Sequence, residues 1–332
     1  MEKIPRWLPG LIVSLVLIGA ILYFVDLRAV AAAMRNSDYT LLFVSLMLGV
    51  LWMFGRAKVW SSLMRDKAPY KEVFFALNEG YLLNNFLPFR LGEVGRAFLL
   101  GRKTGTPFLE IFPTVIIERV TDLAFTAAIL ASAVPFVVGA QSAQQTAFII
   151  GALVVLGLVM LFFLARNSQW ALNLFHTLSA RWPRLQQLGG GFLESFFAGL
   201  AALNDARVFA RFLFWMSLNW ALAILQYYIL ILAFFPQAEI IWSMFGLGAA
   251  AFGGAIPALP GAIGTLEGAF GGALALLSGD QSTGLAVALM ARLYNYLTSI
   301  PFGVYGLSRE GETLGGLYRE LTNLRAGGNS EK

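Results

Sequence analysis

The 332-residue chain is 58% hydrophobic and 13% charged, whereas soluble domains average about 45–50% apolar and about 25% charged residues. This composition excludes an ordinary soluble domain and predicts an all-α, polytopic membrane helix bundle. The absence of Cys and the presence of a single His exclude a disulfide framework and metal sites built from several of these residues. Basic cytoplasmic loops explain the net charge of +5, so no nucleic-acid partner is predicted.

Six apolar runs are long enough to cross the hydrocarbon core as helices. They are Leu8–Val25, Tyr39–Gly55, Phe112–Val138, Thr146–Leu164, Phe209–Phe235 and Leu285–Leu307. The first run ends without a small-residue cleavage site, so it is predicted to be a retained span and not a signal peptide. Residues 1–310 are therefore predicted to form one transmembrane domain, followed by a polar cytoplasmic tail at 311–332. Within it, apolar residues at helical spacing in 168–206 predict a connector that lies at the cytoplasmic interface or packs under the bundle.

Two further apolar runs are interrupted by helix breakers. Val73–Leu100 is broken at Pro88 and Gly92. Ile240–Leu277 is broken at four positions, namely Pro257, Pro260, Gly261 and Gly264. Lys and Arg flank the first run on both sides and are absent beside the second. Each run is therefore predicted to enter and return on one face of the membrane, the first from the cytoplasm and the second from outside. A plain bundle of eight or nine spans is the alternative.

The distribution of Lys and Arg predicts an inner-membrane protein with cytoplasmic N- and C-termini. One basic segment follows the second apolar run and is assigned to the cytoplasmic side; it contains Arg56, Lys58, Arg65, Lys67 and Lys71. The opposite side keeps Arg28 and Arg35 in a loop, where Asp26 and Asp38 balance their charge.

Charged residues also fall inside the predicted spans. Glu118, Arg119 and Asp122 share about one turn of the third span, and Arg292 lies within the last. Each charge at this depth costs about 2.5–3.5 kcal/mol on insertion scales, so these side chains must face partners or a wet cavity. A purely structural ion cluster and a functional site are both consistent with this pattern.

The interrupted runs carry the remaining polar candidates. The first contains Asn84, Asn85, Arg90, Glu93 and Arg96. In the second, a new helix is predicted after Gly264, with Glu267 in its first turn. Unwound backbone at membrane depth is tolerated only where it is buried in protein or lines a cavity. The four Arg of these elements match four carboxylates, namely Arg90, Arg96, Arg119 and Arg292 against Glu93, Glu118, Asp122 and Glu267. This balance predicts a self-compensated site for a charged or zwitterionic headgroup.

Four motifs in this order carry a family resemblance. They are Asn85-Phe86-Leu87-Pro88-x-Arg90-x-Gly92-Glu93-x-x-Arg96, Glu118-Arg119-x-x-Asp122, Pro257-x-x-Pro260-Gly261-x-x-Gly264-x-x-Glu267 and Arg292. The set resembles the lysylphosphatidylglycerol synthase transmembrane family of flippase-like membrane proteins. That family includes the membrane half of bacterial aminoacyl-phosphatidylglycerol synthases, to which lipid flipping is credited. It also includes stand-alone proteins tied to glycolipid or hopanoid handling.

The resemblance implies a lipid translocase. We expect a stand-alone member of the family without the soluble aminoacyl-transferase domain, which moves lipid and is not an enzyme, and no cofactor or metal is predicted. Expected partners are membrane lipids (anionic, zwitterionic or glycosylated, including hopanoid-type) and, as a second class, lipid-biosynthesis enzymes. The resemblance assigns headgroup or gating roles to one set of residues: Asn84, Asn85, Pro88, Arg90, Glu93, Arg96, Glu118, Arg119, Asp122, Pro257, Pro260, Gly261, Gly264, Glu267 and Arg292.

Two other functions stay open at the level of sequence. A membrane-embedded transferase on a lipid-linked substrate would use Glu93, Glu118 and Asp122 as a carboxylate cluster. A non-transporting partner in a lipid-biosynthesis complex would need no chemistry of its own. The chain has no P-loop motif, so transport is expected to be passive, coupled to an ion or driven by a partner. Glu118, Asp122 and Glu267 are the candidates for proton coupling.

Overall fold

The computed structural model describes residues 27–65, 67–86, 91–137, 205–255 and 260–311, with isolated positions between 139 and 177. This part holds nine α-helices, one 3-10 turn and no strand, which confirms the all-α membrane bundle. The helices are α1 (Leu27–Asn36), α2 (Tyr39–Leu63), α3 (Tyr70–Phe86), α4 (Gly92–Thr104), α5 (Phe108–Val137), α6 (Ala206–Leu232), α7 (Ile240–Ala255), α8 (Thr265–Ser278) and α9 (Gln281–Arg309). The predictions for Leu8–Val25, Thr146–Leu164, the connector and the tail fall almost entirely outside these residues.

Three of the described helices, α2, α5 and α6, are long and apolar enough to cross a membrane. Their 25, 30 and 27 residues correspond to about 38–45 Å at 1.5 Å per residue, more than the roughly 30 Å of a hydrocarbon core. Helix α2 continues eight residues past its predicted run, α5 begins four residues before its run, and α6 is shifted by three residues toward the N-terminus. Helix α9 is as long, with 29 residues, but it is less apolar because polar residues, including Arg292, interrupt it.

Helices α2 and α6 pack antiparallel through small and amide residues. Ser45 Oγ donates to the Gln226 carbonyl at 2.9 Å, and Asn219 Nδ2 donates to the Trp52 carbonyl at 3.0 Å. Gly49 leaves room for the Gln226 side chain, since a Cβ there would lie 2.7 Å from Nε2. Such small residues and amide hydrogen bonds hold helices together where lipid offers no hydrophobic driving force.

Helices α3 and α4 form an antiparallel hairpin, hairpin 1. The Gly92 amide donates to Asn84 Oδ1 at 2.9 Å near the tip, and Lys103 Nζ donates to both oxygens of Glu79 at 2.8 and 2.9 Å further back. The limbs have 17 and 13 residues, about 20–26 Å of helix, so neither is long enough to cross the membrane alone. The break predicted near Pro88 and Gly92 is therefore present. Residues 87–90, with Pro88 and Arg90, lie outside the described part.

Helices α7 and α8, with a 3-10 turn at Pro260–Ala262, form hairpin 2. Its limbs have 16 and 14 residues, again too few to cross. Gly261 and Gly264 have φ angles of 73° and 89°, which a Cβ would disfavour. The Gly264 amide donates to Glu267 Oε2 at 2.9 Å, which fixes the start of α8 at the predicted position. Pro257 lies outside the described residues.

Helix α9 runs along both hairpins and shows how they are placed. It leaves the open end of hairpin 2 at the 279–280 turn, and Arg292 contacts that hairpin's tip. Ser299 Oγ then accepts a hydrogen bond from Asn85 Nδ2, at the tip of hairpin 1, at 3.1 Å. Near its end, Arg309 reaches Glu72 in the first turn of α3 at 3.4 Å. The hairpins therefore enter from opposite ends of the bundle and their tips meet in the middle.

The loop predicted to hold Arg28 and Arg35 is instead the ten-residue helix α1. Its sequence contains three consecutive Ala, the strongest helix former. Val30 is buried and packs with Leu285 and Ala286 near the start of α9. This contact places α1 at the open end of hairpin 2.

Candidate functional site

Six charged side chains from three elements meet inside the bundle. Helix α2 contributes one, α4 two and α5 three. We call this group the arginine network; its members are Arg56, Glu93, Arg96, Glu118, Arg119 and Asp122. Three guanidiniums face three carboxylates, so the formal charges cancel. Buried charges are stable only when paired and hydrogen-bonded in this way.

Glu118 is the centre of the network, and its side chain is fully buried. Arg96 Nη1 donates to both of its oxygens at 3.2 and 3.3 Å, and Arg119 Nη2 donates to Oε1 at 3.2 Å. Arg56 Nη2 also donates to Oε1. Because three guanidiniums share one carboxylate, the position of each depends on Glu118.

The prediction that Arg56 lies in a cytoplasmic loop is wrong. It rested on the end of the apolar run at Gly55. Helix α2 continues to Leu63, and the Arg56 side chain is only 3% exposed. Its guanidinium donates to Asp122 Oδ1 at 2.8 Å and to Glu118. The signal that could have revealed it is the helical spacing of Met53, Ala57 and Trp60, which continues the buried face past the apolar run.

The two network members from α4 lie near the start of that helix, with Glu93 in its first turn and Arg96 at its fifth residue. Arg96 Nη2 is 2.9 Å from Glu93 Oε2, and the Arg96 guanidinium lies over the ring of Trp60, 4.6 Å from its centroid. Asn84 Nδ2 donates to Glu93 Oε1 at 3.3 Å. The network is therefore joined to the tip of hairpin 1.

Arg119 is the member of the network that is most open to the surroundings. Its side chain is 33% exposed, against 3% for Arg56 and 2% for Arg96. It lies between Glu93 and Asp122, with nitrogen–oxygen distances of 3.2 and 3.3 Å. Arg119 is therefore the guanidinium of the network that is most accessible from outside it.

A second charged site lies at the tip of hairpin 2. The Arg292 guanidinium donates to the carboxylate of Glu267 and to the Gly261 carbonyl, and Nη2 donates to the Ala262 carbonyl at 3.1 Å. Arg292 thus satisfies carbonyls that the broken helix leaves free. Among the described residues, no ion pair joins Arg292 or Glu267 to the arginine network.

The two hairpin tips contact each other beside these charges. A Cβ at Gly261 would lie 3.6 Å from the Asn85 carbonyl oxygen, so the chains pass closely at this point. The structure thus divides the predicted site residues into two neighbouring groups. Hairpin 1 brings Asn84, Glu93 and Arg96 to the carboxylates of α5. Hairpin 2 brings Glu267 to Arg292.

The predicted balance of four Arg against four carboxylates is met with different members in the described part. Arg56 supplies the guanidinium that had been assigned to Arg90, which lies outside that part. The result is three pairs in the arginine network and one pair at the tip of hairpin 2.

The fold and this site define a helical membrane protein with a charged, internally balanced centre. The family model for the lysylphosphatidylglycerol synthase TM region matches residues 7–303, so the chain belongs to that family. A UPF0104 membrane protein of Methanocaldococcus jannaschii is 28% identical to it over 227 residues, which are 67% of this chain and 91% of the relative. No solved structure matches the chain. Family membership supports a lipid-related function in a membrane.

Proposed function

We propose that the protein is a lipid translocase of the inner membrane, with cytoplasmic N- and C-termini. Its substrate is a lipid with an anionic, zwitterionic or glycosylated headgroup, which it moves between leaflets through the polar centre. The observation that carries this proposal is the buried, charge-balanced arginine network with one guanidinium still partly open. The proposal makes the chain a transporter and not an enzyme.

The network suits temporary exchange of one anion for another. It is neutral when empty, so it does not require a bound ligand to be stable. Arg119 shares its three carboxylates with other guanidiniums: Glu93 also contacts Arg96, Asp122 also contacts Arg56, and Glu118 contacts both. A lipid phosphate can therefore replace the carboxylates around Arg119 and leave all three of them paired. The planar fork of Arg binds phosphate through two parallel hydrogen bonds.

The surroundings of Arg119 favour a lipid over a water-soluble anion. Leu123, one turn along α5, is 60% exposed, and Val120 is 40% exposed. In a membrane-spanning helix these apolar faces contact acyl chains. A headgroup at Arg119 would thus keep its tails in the bilayer beside α5.

A route across the membrane follows from the meeting of the two hairpin tips. The arginine network lies beside hairpin 1, which enters from one end of the bundle. The Arg292–Glu267 pair lies in hairpin 2, which enters from the other. Broken helices with free backbone groups form substrate sites in other transporters. We infer that the headgroup passes between these two charged sites while the tips separate.

The transferase hypothesis is less well supported by the geometry. It places a metal or an acid–base pair among Glu93, Glu118 and Asp122. Arg56 lies between Glu118 and Asp122 and donates to both, so a guanidinium takes the place that a shared cation would need. No specific contact among the described residues favours the non-transporting partner.

Reconstitution of the purified protein into liposomes tests the proposal. Fluorescent phosphatidylglycerol, phosphatidylcholine and a glycolipid are offered in turn, and the fraction accessible to a membrane-impermeant quencher is followed over time. We expect the wild type to move at least one of them, and Arg119→Gln to slow it about 10–100-fold, the range expected for a lost charged hydrogen bond. The control Lys67→Gln removes an exposed ion pair whose partner, Glu110, lies on α5 like Arg119. It should leave the translocation rate unchanged. Failure to move any of these lipids, or product formation from a lipid-linked sugar, would count against transport.

A further inference from the structure

An aromatic groove lies between α2, α3 and α9, away from both charged sites. It encloses about 630 Å³, and its walls include Phe54, Tyr70, Lys71, Phe74, Phe302 and Tyr305. This volume falls within the range of about 300–1,000 Å³ found for small-molecule sites. We call it the aromatic groove.

The aromatic groove is built from rings that brace one another. Phe74 stacks on Phe54 at 4.8 Å between ring centroids and meets Phe302 edge-on at 5.2 Å. The Tyr70 hydroxyl donates to the Phe54 carbonyl at 2.9 Å, which ties α3 to α2. These contacts hold the groove open in a fixed shape, and its apolar lining fits an acyl chain.

One end of the aromatic groove carries basic side chains. Lys58 Nζ lies 4.2 Å from the centroid of the Tyr70 ring, and Lys71 lines the groove itself. Both lysines are exposed, and neither makes an ion pair with any residue that the structure describes. Two other lysines of the same region differ, because Lys67 pairs with Glu110 and Lys103 with Glu79. The groove therefore joins an apolar slot to two uncompensated positive charges.

The position of the aromatic groove matches the boundary between lipid tails and headgroups. Lys58 lies near the end of α2, and Lys71 lies at the start of α3, where hairpin 1 enters. Arg309, at the end of α9, lies over the Phe75 ring at 5.2 Å. Phe54 lies one turn before Lys58 on α2, and Phe302 lies two turns before Arg309 on α9, so the slot extends along the bundle away from this basic end. Basic residues at such a boundary attract anionic lipids.

We propose that the aromatic groove binds one anionic phospholipid. Its phosphate pairs with Lys58 and Lys71, and one acyl chain lies against Phe54, Phe74 and Phe302. This site is separate from the arginine network, because on α2 the side chain of Arg56 is buried among the carboxylates while Phe54 and Lys58 face outward. The lipid is therefore a resident of the bundle surface and not the translocated substrate, and its binding does not depend on transport.

Native mass spectrometry of the full chain in neutral detergent tests this site. Phosphatidylglycerol and phosphatidylcholine with identical acyl chains are titrated separately. We expect the wild type to retain one phosphatidylglycerol in preference to phosphatidylcholine. Lys58→Gln and Lys71→Gln should each weaken phosphatidylglycerol binding about five-fold at low salt, the effect expected for one basic residue facing an anionic lipid. Phe302→Ala should weaken both lipids alike, because it removes part of the slot.

Lys67→Gln serves as the matched control and should leave the preference intact. Thermal unfolding of each variant without added lipid checks that the fold is kept. Equal binding of the two lipids by the wild type would overturn the proposal. So would an unchanged preference in the Lys58→Gln/Lys71→Gln double variant, or an equal loss in Lys67→Gln, since the effect would then be one of general surface charge.

Discussion

The arginine network and the Arg292–Glu267 pair both neutralise charged side chains inside the bundle, but their contacts are arranged differently. In the arginine network, three guanidiniums and three carboxylates share contacts, and each carboxylate faces at least two Arg. At the tip of hairpin 2, a single Arg among the described residues, Arg292, contacts one carboxylate and two backbone carbonyls. Shared contacts allow Arg119 to leave without depriving a carboxylate of its last Arg, whereas the central Glu118 serves all three guanidiniums at once. The Arg292–Glu267 pair has no second Arg among the described residues to replace Arg292. Its contacts join α9 to the tip of hairpin 2 and stabilise the broken helix.

Removal of the central carboxylate should produce the largest effect on stability. Glu118→Gln leaves three Arg against two carboxylates, and both Arg56 and Arg96 are buried. Breaking a buried ion pair from one side costs about 3–5 kcal/mol. We expect a large fall in the unfolding free energy in detergent, measured by thermal or denaturant unfolding.

Glu110→Gln is the matched control for this change, since Glu110 lies on the same helix in an exposed pair. Its expected cost is below about 1 kcal/mol. If the Glu118→Gln protein were as stable as the control, Glu118 would not be the residue on which the stability of the arginine network depends.

Loss of the Arg292–Glu267 pair should have the next largest effect on stability. Arg292→Gln removes the donor to Glu267 Oε1 and to the Gly261 carbonyl, whereas the Ala262 carbonyl keeps the Thr265 hydroxyl as a donor. A buried group left unsatisfied costs about 1–3 kcal/mol. The same unfolding measurement applies, with exposed Arg211→Gln as a control expected within about 0.5 kcal/mol of the wild type. If Arg292→Gln lost more unfolding free energy than Glu118→Gln, the pair at the tip of hairpin 2 would contribute more to stability than the centre of the arginine network, contrary to this account.

The smallest effect is expected at the turn between α8 and α9, away from both sites. Asp280 caps α9 by accepting a hydrogen bond from the Thr283 amide at 3.0 Å, and hydrogen bonds from Thr283 hold the pKa of this carboxyl below its ordinary value. Asp280→Ala should cost about 1 kcal/mol at neutral pH and leave lipid transport unchanged.

The pH dependence of this cap follows from the direction of the pKa shift. A carboxyl whose pKa is lowered by folding stabilises the fold above its unfolded pKa of about 3.9 and loses that contribution as the pH falls through the folded value. The stability gap between wild type and Asp280→Ala should therefore shrink below about pH 4. A gap that widens in acid would rule out this role for the ionised cap.

Much of this arrangement could be predicted from local sequence signals. Pro and Gly marked both hairpin breaks, and the spacing of Glu118 and Asp122 placed them on one face. Gly264 and Glu267 indicated where α8 begins. These features depend on a few neighbouring residues, which is why the sequence reveals them without knowledge of the packing.

The partners of the charges could not be predicted in this way. Arg56 lies one residue beyond an apolar run, and only the path of α2 beside α5 shows that it is buried. The pairing of Arg292 with Glu267, and not with the carboxylates of α5, depends on how α9 passes the two tips. Such contacts join residues far apart in the chain, so they require the tertiary structure.

The central claim is that Arg119 binds the lipid headgroup. The most direct test distinguishes the effect of losing the Arg119 guanidinium from the effect of disturbing the charge balance of the arginine network. Arg119→Gln/Asp122→Asn removes one charge of each sign, so it restores the balance that Arg119→Gln alone disturbs. The rate of lipid translocation in liposomes is compared for the wild type, the single and the double variant. If Arg119 binds the headgroup, the double variant should stay about 10–100-fold slower than the wild type, like the single one. A double variant that returns to the wild-type rate would contradict this, because the balance of charge and not contact with the lipid would then govern transport.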